Sequence, residues 1–350
     1  MERSRSYIAT PPGATIKEQI MDRGMSQKEF AVRMGLSEKH ISRLINGEVQ
    51  LTMDVARRLE TVLGLPTQFW CNLESIYREK IAKVNEENAM DEDVEFVKKF
   101  PYKEMAKNDW VVDTSKGTER VVALRKFFEV VELSYLKQDL IPAEIACRKP
   151  FETEKSYYAL VAWAQKAKLE GRKIETQPID IKELIKIMPE IRKMTNMLPK
   201  DFCPELQSLL ADCGIAIVFL PHVGGSFLHG ATFYDGNRII LGLTVRGKDA
   251  DKFWFSLFHE LGHITLGHIG NVEGTSQEDE DAADEYSENI LIPKIDFMAF
   301  VNSNNINEAA IIEFAKKEEI DAGIVLGRLQ KYGYVNYNRY ENLKRKYAIV

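Results

Sequence analysis

The chain has 350 residues, 45% of them hydrophobic and 29% charged, with a formal net charge of −6. This is the composition of a soluble protein with a sizeable core and room for two or three domains. No window approaches the roughly 18 apolar residues of a membrane span, and the first residues, MERSRSYIATPPGATI, hold no apolar secretion signal, so a cytoplasmic protein is expected.

Four cysteines, Cys71, Cys147, Cys203 and Cys213, form no C-x-x-C pair. A disulfide framework and a thiolate zinc finger are therefore not expected, and any metal would have to use histidine and carboxylate. The negative net charge argues against a polyanion partner for the chain as a whole. Residues 1–80, however, carry 12 Lys and Arg against 10 Asp and Glu, so a nucleic-acid face would belong at the N-terminus.

Residues 1–82 read as about five short helices, followed by an acidic stretch with few apolar anchors, VNEENAMDEDVE, that suits a linker over 83–95. Within the first unit, SQKEFAVRMGLSEKHISRLING (26–47) has the signals of two short helices joined by a tight turn. Ser26 with Glu29 makes a capping box, Ala31 is small enough for a second helix to cross closely, and Gly35 supplies a left-handed residue. Ser37 caps the next helix, on which Ile41, Leu44 and Ile45 face a core while Glu38, Lys39, Ser42 and Arg43 point outward, where a major groove would lie.

Residues 96–198 are a helical, aromatic-rich middle region with mute chemistry. Then come three β-branched runs, GIAIVFL, GATFYD and RIILGL, the last two joined by Gly236-Asn237 as a hairpin; a small antiparallel sheet is expected. Helix resumes at about Ala250, and a second helix runs from about Glu278 to Leu291, stopped by Pro293. Residues 199–300 are taken as one domain and 301–350 as a helical C-terminal region.

The first of these helices contains FHELGHITLGH (258–268), with the spacing H-E-x-x-H. Residues four apart on a helix differ by about 40° of rotation, so His259 and His263 lie on one face and can share a metal ion. Glu260 beside them is placed to take a proton from a metal-bound water rather than to ligate. His268 lies five residues on, about 140° round the helix, and cannot reach the same ion unless the helix ends first. A third ligand is sought in EDEDAADEYSENILIP (278–293), where Glu280 and Asp284 share a face: Glu280 completes a His2Glu site and Asp284 orients a ligand histidine, with Glu278 and Asp281 as alternatives for the acid. His229, at the start of a strand before the metal helix, is a candidate donor to the tetrahedral intermediate. The aromatics Phe253, Trp254, Phe255 and Phe258 are expected in the core.

Two resemblances attach to these residues. The segment 26–47 resembles the XRE and lambda-repressor type of helix-turn-helix, and SRLINGEVQLTMDVARRLETVLGLPTQFW is similar to the HigA-like antidotes of toxin-antitoxin modules. That likeness implies operator DNA bound by a homodimer through this domain, with Gln27, Lys39, Ser42 and Arg43 as contacts. FWFSLFHELGHITLGH followed by EDAADEYSENILIP resembles the ImmA/IrrE family of zinc peptidases, whose second helix has roughly the pattern E-x-E-A-[DN]-x-F-A-x-x-L-L-M-P. Glu280 and Asp284 fall on its first Glu and its Asp/Asn, while Ala282, Tyr286, Ser287 or Glu288, and Ile292 depart from it without removing a ligand. The resemblance implies Zn2+, a zincin-like domain and cleavage of a repressor or antitoxin, in trans or within this chain.

The whole is thus expected to be an α+β protein, predominantly α, in which a DNA-binding regulator carries a zinc endopeptidase. The alternative is a non-proteolytic repressor or antitoxin whose HExxH site is structural or vestigial.

Overall fold

The structure, a computed structural model, describes residues 2–4, 6–137, 154–224, 230–244, 249–270 and 275–347. Contacts divide the chain into Met1–Glu95 and Phe96–Val350. Among the described residues, no helix is long and apolar enough to cross a membrane.

The first unit opens with a short antiparallel pair, β1 (Glu2–Arg3) and β2 (Ile8–Ala9). Four short helices follow, α1 (Gly13–Asp22), α2 (Gln27–Met34), α3 (Glu38–Ile45) and α4 (Met53–Leu63), and then the longer α5 (Thr67–Val97). Ile16, Phe30, Ile41, Leu59 and Trp70 form their common core. The helix ends are where the sequence puts stop and start signals. Ser26 accepts from the Glu29 amide, Gly35 ends α2 at φ 64°, and Ser37 accepts from the His40 amide. The expected capping box is only half formed: the Glu29 carboxylate turns instead to Arg33 one turn on, at 2.6 Å.

The stretch 84–95, read as a linker, lies inside α5. It contains no Gly or Pro to interrupt a helix, and Val84, with Tyr77 and Ala9, is buried in a small apolar cluster that gives it an anchor.

The second unit contains α6 (Tyr102–Lys107), α7 (Gly117–Phe128), α8 (Glu154–Gly171), α9 (Ile181–Lys193) and α10 (Pro199–Asp212). Strands β3 (Ile215–Leu220), β4 (Gly230–Asp235) and β5 (Arg238–Thr244) follow, and then α11 (Ala250–Leu266), α12 (Gln277–Leu291), α13 (Lys294–Asn302), α14 (Glu308–Lys317) and α15 (Ala322–Lys331).

The sheet is mixed rather than antiparallel. Its order is β3-β5-β4: β4 and β5 form the expected hairpin, with Asp235 opposite Arg238, but β3 pairs parallel to β5 with Ile215 opposite Ile239. The hairpin signal is local, whereas the direction of β3 depends on a partner more than 20 residues away. The central position of β5 explains its apolar run, since helices cover both of its faces. On one face, the Gly242 backbone meets the Trp163 ring so closely that a Cβ would fall 2.5 Å from it. On the other, Ile239, Leu241 and Leu243 join Trp254, Leu257 and Phe258 in the main core.

The C-terminal end of α8 is tied to the β4–β5 hairpin by an ion pair. Arg172 donates from Nε and Nη2 to the two Asp235 oxygens, at 2.8 and 3.0 Å. Burial raises the Asp235 carboxyl, but the hydrogen bond from Arg172 and the charges of Lys168 and Arg172 outweigh it, so its pKa lies below the ordinary value. A depressed carboxyl contributes stability that is fully present above the unfolded value of about 3.9 and is lost as pH falls through the lower folded value. Asp235→Asn is expected to lose about 1.5 kcal/mol at pH 7, the low end of the range for a hydrogen bond to a charged group, because the Arg172 side chain is partly exposed. Thermal melts from pH 7 to pH 2.5 check this: the gap to wild type should close only in the acidic limb.

Candidate functional site

Helix α11 is buried on every side from Leu257 to Ile264: His259, Glu260 and His263 lie among Leu257, Phe258, Leu261 and Ile264. It packs lengthwise on α12, and Glu280 in the first turn of α12 is buried against it. Three side chains converge. The Nε2 atoms of His259 and His263 lie 2.9 Å apart, and the two Glu280 oxygens lie 3.5 Å from the first and 3.4 Å from the second. Ligands about 2.0–2.1 Å from a tetrahedral zinc are about 3.3 Å from one another, so this His2Glu set fits such an ion. His259, His263 and Glu280 also form the one His/Cys/Asp/Glu group able to hold a metal among the described residues. Glu278 and Asp281, the other acids weighed for that role, are exposed.

Each ligand side chain is held from behind. His259 Nδ1 lies 2.8 Å from Asp284 Oδ1, the partner expected for it. Thr275 Oγ1 donates to Glu280 Oε1 at 2.6 Å. Burial pushes the Glu280 carboxyl up, but hydrogen bonds to His259, His263 and Thr275 prevail and hold it well below the usual carboxylate range. Asp284 is itself braced by Lys331, whose Nζ bridges to Glu288 at 2.8 Å, and Tyr332 donates its hydroxyl to the same Glu288 at 2.7 Å.

His268 is close to the site although the helical period turns it away. Helix α11 ends at Leu266, Gly267 takes φ 78°, and the His268 amide donates back to the His263 carbonyl at 2.9 Å. This left-handed helix stop brings the His268 ring beside His263, on the side away from Glu280's ligand oxygens. Burial lowers the His268 pKa below its ordinary value.

Glu260, next to His259 on α11, reaches β4. Its Oε2 accepts from Thr232 Oγ1 at 2.6 Å, and Oε1 receives no hydrogen bond from the described residues. Gly230 makes room for it: a Cβ there would lie 2.8 Å from Glu260 Cγ and 2.9 Å from Oε1. Thr232 and Thr275 were missed by sequence reasoning. Their only sequence signal is a hydroxyl on an otherwise apolar strand and one before a helix start. His229, proposed as an intermediate-binding donor, lies outside the described residues. Tyr286 packs half-buried against Gly262, and Phe253, Trp254 and Phe258 are core residues as expected, with Phe255 packed at its margin.

In the first unit, Glu38, Lys39 and Arg43 are exposed on α3, and Ser42 and Gln27 are half-buried. Among the described residues the Arg43 side chain is engaged by a loose 3.6 Å pair with Glu48, both side chains exposed, which costs little to release.

The helix-turn-helix family model (HTH_3) matches residues 16–70. An uncharacterized HTH-type transcriptional regulator of Escherichia coli K12, YddM, is 35% identical over 66 residues, which is 19% of this chain and 70% of that protein. The chain belongs to the helix-turn-helix family, and its N-terminal unit is an XRE-type DNA-binding domain. Residues 259–284 lie outside the matched segment.

The geometry around Gly230 gives a test that separates Glu260 from the ligands. Gly230→Ala should displace the Glu260 carboxylate from Thr232 while leaving His259, His263 and Glu280 in place. A crystal structure of the variant with metal titrated in parallel checks both halves: unchanged metal stoichiometry with a rotated Glu260 is expected.

Proposed function

We propose that this chain is a transcriptional regulator that joins operator binding by its first unit to peptide-bond hydrolysis by its second, in the manner of the ImmA/IrrE zinc peptidases. The observation that carries the reading is Glu260. A site that holds metal only for structure has no use for a buried carboxylate next to the ligands, fixed through one oxygen while the other accepts no hydrogen bond from the described residues.

His259, His263 and Glu280 would hold a zinc ion, which would supply Lewis acidity and make a water nucleophilic at neutral pH. Glu260 Oε1 takes the proton from the attacking water and returns it to the amine nitrogen as the C–N bond breaks, so one water is consumed and an acid and an amine are released. Thr232 keeps the Glu260 carboxylate turned to this task, and Asp284 keeps His259 presenting Nε2. The substrate class that fits a protein with a DNA-reading unit is a regulatory protein, either a separate repressor or antitoxin or another copy of this chain. The first unit acts as a repressor or antidote of the HigA type by binding its operator as a homodimer.

The test compares purified wild type with Glu260→Gln and His263→Ala for zinc content, for self-cleavage, and for cleavage of co-expressed helix-turn-helix repressors. Wild type and Glu260→Gln should hold equal zinc while cleavage falls about 10²–10⁴-fold in the variant, the usual contribution of a general base. His263→Ala should lose both. Zinc without proteolysis by wild type on any of these proteins would overturn the enzyme in favour of a non-proteolytic regulator.

For the DNA-binding half, Arg43→Ala is expected to weaken binding to a sequence selected from a random duplex pool by about 1–3 kcal/mol. Gel shifts at fixed salt check it, and unchanged affinity would remove Arg43 from the contacts.

A further inference from the structure

The two ligand histidines are supported differently. His259 leans directly on a carboxylate, Asp284, at 2.8 Å. Behind His263 stands another imidazole: His263 Nδ1 and His268 Nδ1 are 3.1 Å apart. Behind that is a carboxylate, with His268 Nε2 lying 3.5 Å from Asp279 Oδ1.

The protons in this row can be counted. Two ring nitrogens 3.1 Å apart share one proton, so one donates and the other accepts. If His263 presents an unprotonated Nε2 to a metal, its proton is on Nδ1 and it is the donor. His268 Nδ1 then accepts, which puts the His268 proton on Nε2, the atom that faces Asp279. A neutral His268 ring meets this requirement, and each atom in the row faces a partner of the opposite role.

The row is fixed at both ends by backbone. Gly267 and the His268-to-His263 main-chain bond set the first ring pair. Asp279 is immobilised by its other oxygen, which accepts from the Ser276 amide and hydroxyl, each at 2.9 Å, as part of the box that starts α12. Asp279 Oδ1 is thereby held toward His268 by the same turn that places Glu280 among the ligands.

We infer that His268, backed by Asp279, is a positioning residue for His263: it selects the tautomer with the proton on Nδ1 and so keeps Nε2 available as a ligand. The inference rests on the metal-centre reading of His259, His263 and Glu280. An imidazole tuned by a neutral imidazole gains less basicity than one tuned by a carboxylate, so the two ligands are chemically unequal.

The experiment uses the full chain and zinc alone, with a chromophoric chelator as competitor. Wild type should bind one zinc per chain. His268→Ala should weaken zinc binding about 10–100-fold, the usual loss when a partner behind a ligand is removed. His268→Asn should restore most of the affinity, because the amide oxygen of Asn takes the place of the accepting Nδ1. Long-range proton–nitrogen spectra of the zinc-loaded wild type should show His263 protonated at Nδ1 and His268 protonated at Nε2. Thermal melts of the metal-free proteins should coincide, which excludes a general loss of fold. Wild-type affinity in His268→Ala, or a His268 ring protonated at Nδ1, would overturn this inference while leaving the metal centre intact. Failure of the wild type to bind zinc would overturn the metal centre and the inference with it.

Discussion

Four ionisable side chains, His259, Glu260, His263 and Glu280, are buried where two helices pack, and the second unit is organised around the cost of keeping them there. An unpaired buried charge costs several kcal/mol, so each group needs a partner or a cation. The chain supplies the partners one by one: Thr232 for Glu260, Asp284 for His259, His268 for His263, Thr275 for Glu280. On the inner side the Nε2 atoms of His259 and His263 lie 2.9 Å from one another and 3.5 and 3.4 Å from the Glu280 oxygens. In the proposed reading, a divalent ion would be held by all three at once.

The first unit solves the opposite problem. Its core is apolar, and its chemistry is kept at the surface on a helix whose charged residues are exposed and loosely paired. In the proposed reading, exposure keeps Lys39 and Arg43 solvated until a phosphate or base edge replaces the water, and binding then gains from counterion release. The second unit relies on enclosure, where low polarity strengthens each electrostatic contact.

What could be read from sequence was whatever depends on local periodicity. His259 and His263 share a face because a helix repeats every 3.6 residues, and Glu280 and Asp284 share one for the same reason. The turn at Gly35 and the Gly236-Asn237 hairpin are equally local. The parallel pairing of β3 was not readable because strand direction is fixed by distant packing, nor was the continuation of α5, where a small apolar anchor overrides an acidic composition. His268 shows the limit of periodicity: counting residues turned its ring away from His263, but the left-handed Gly267 ended the helix one residue earlier and brought the ring back. Thr232 and Thr275 offered only a lone hydroxyl each, and a single hydroxyl acquires meaning only from the carboxylate it meets in three dimensions.

The opening turn of α12 concentrates several of these duties. Within six residues, Thr275 to Glu280, it carries the helix start, the carboxylate behind His268, the hydroxyl behind Glu280 and Glu280 itself. Unwinding that one turn would dismantle the acidic ligand and the support of a histidine ligand together. If the proposed cation binds, its occupancy and the local order of this corner are linked equilibria, and ion depletion would be felt first as fraying here rather than as loss of the sheet or the core.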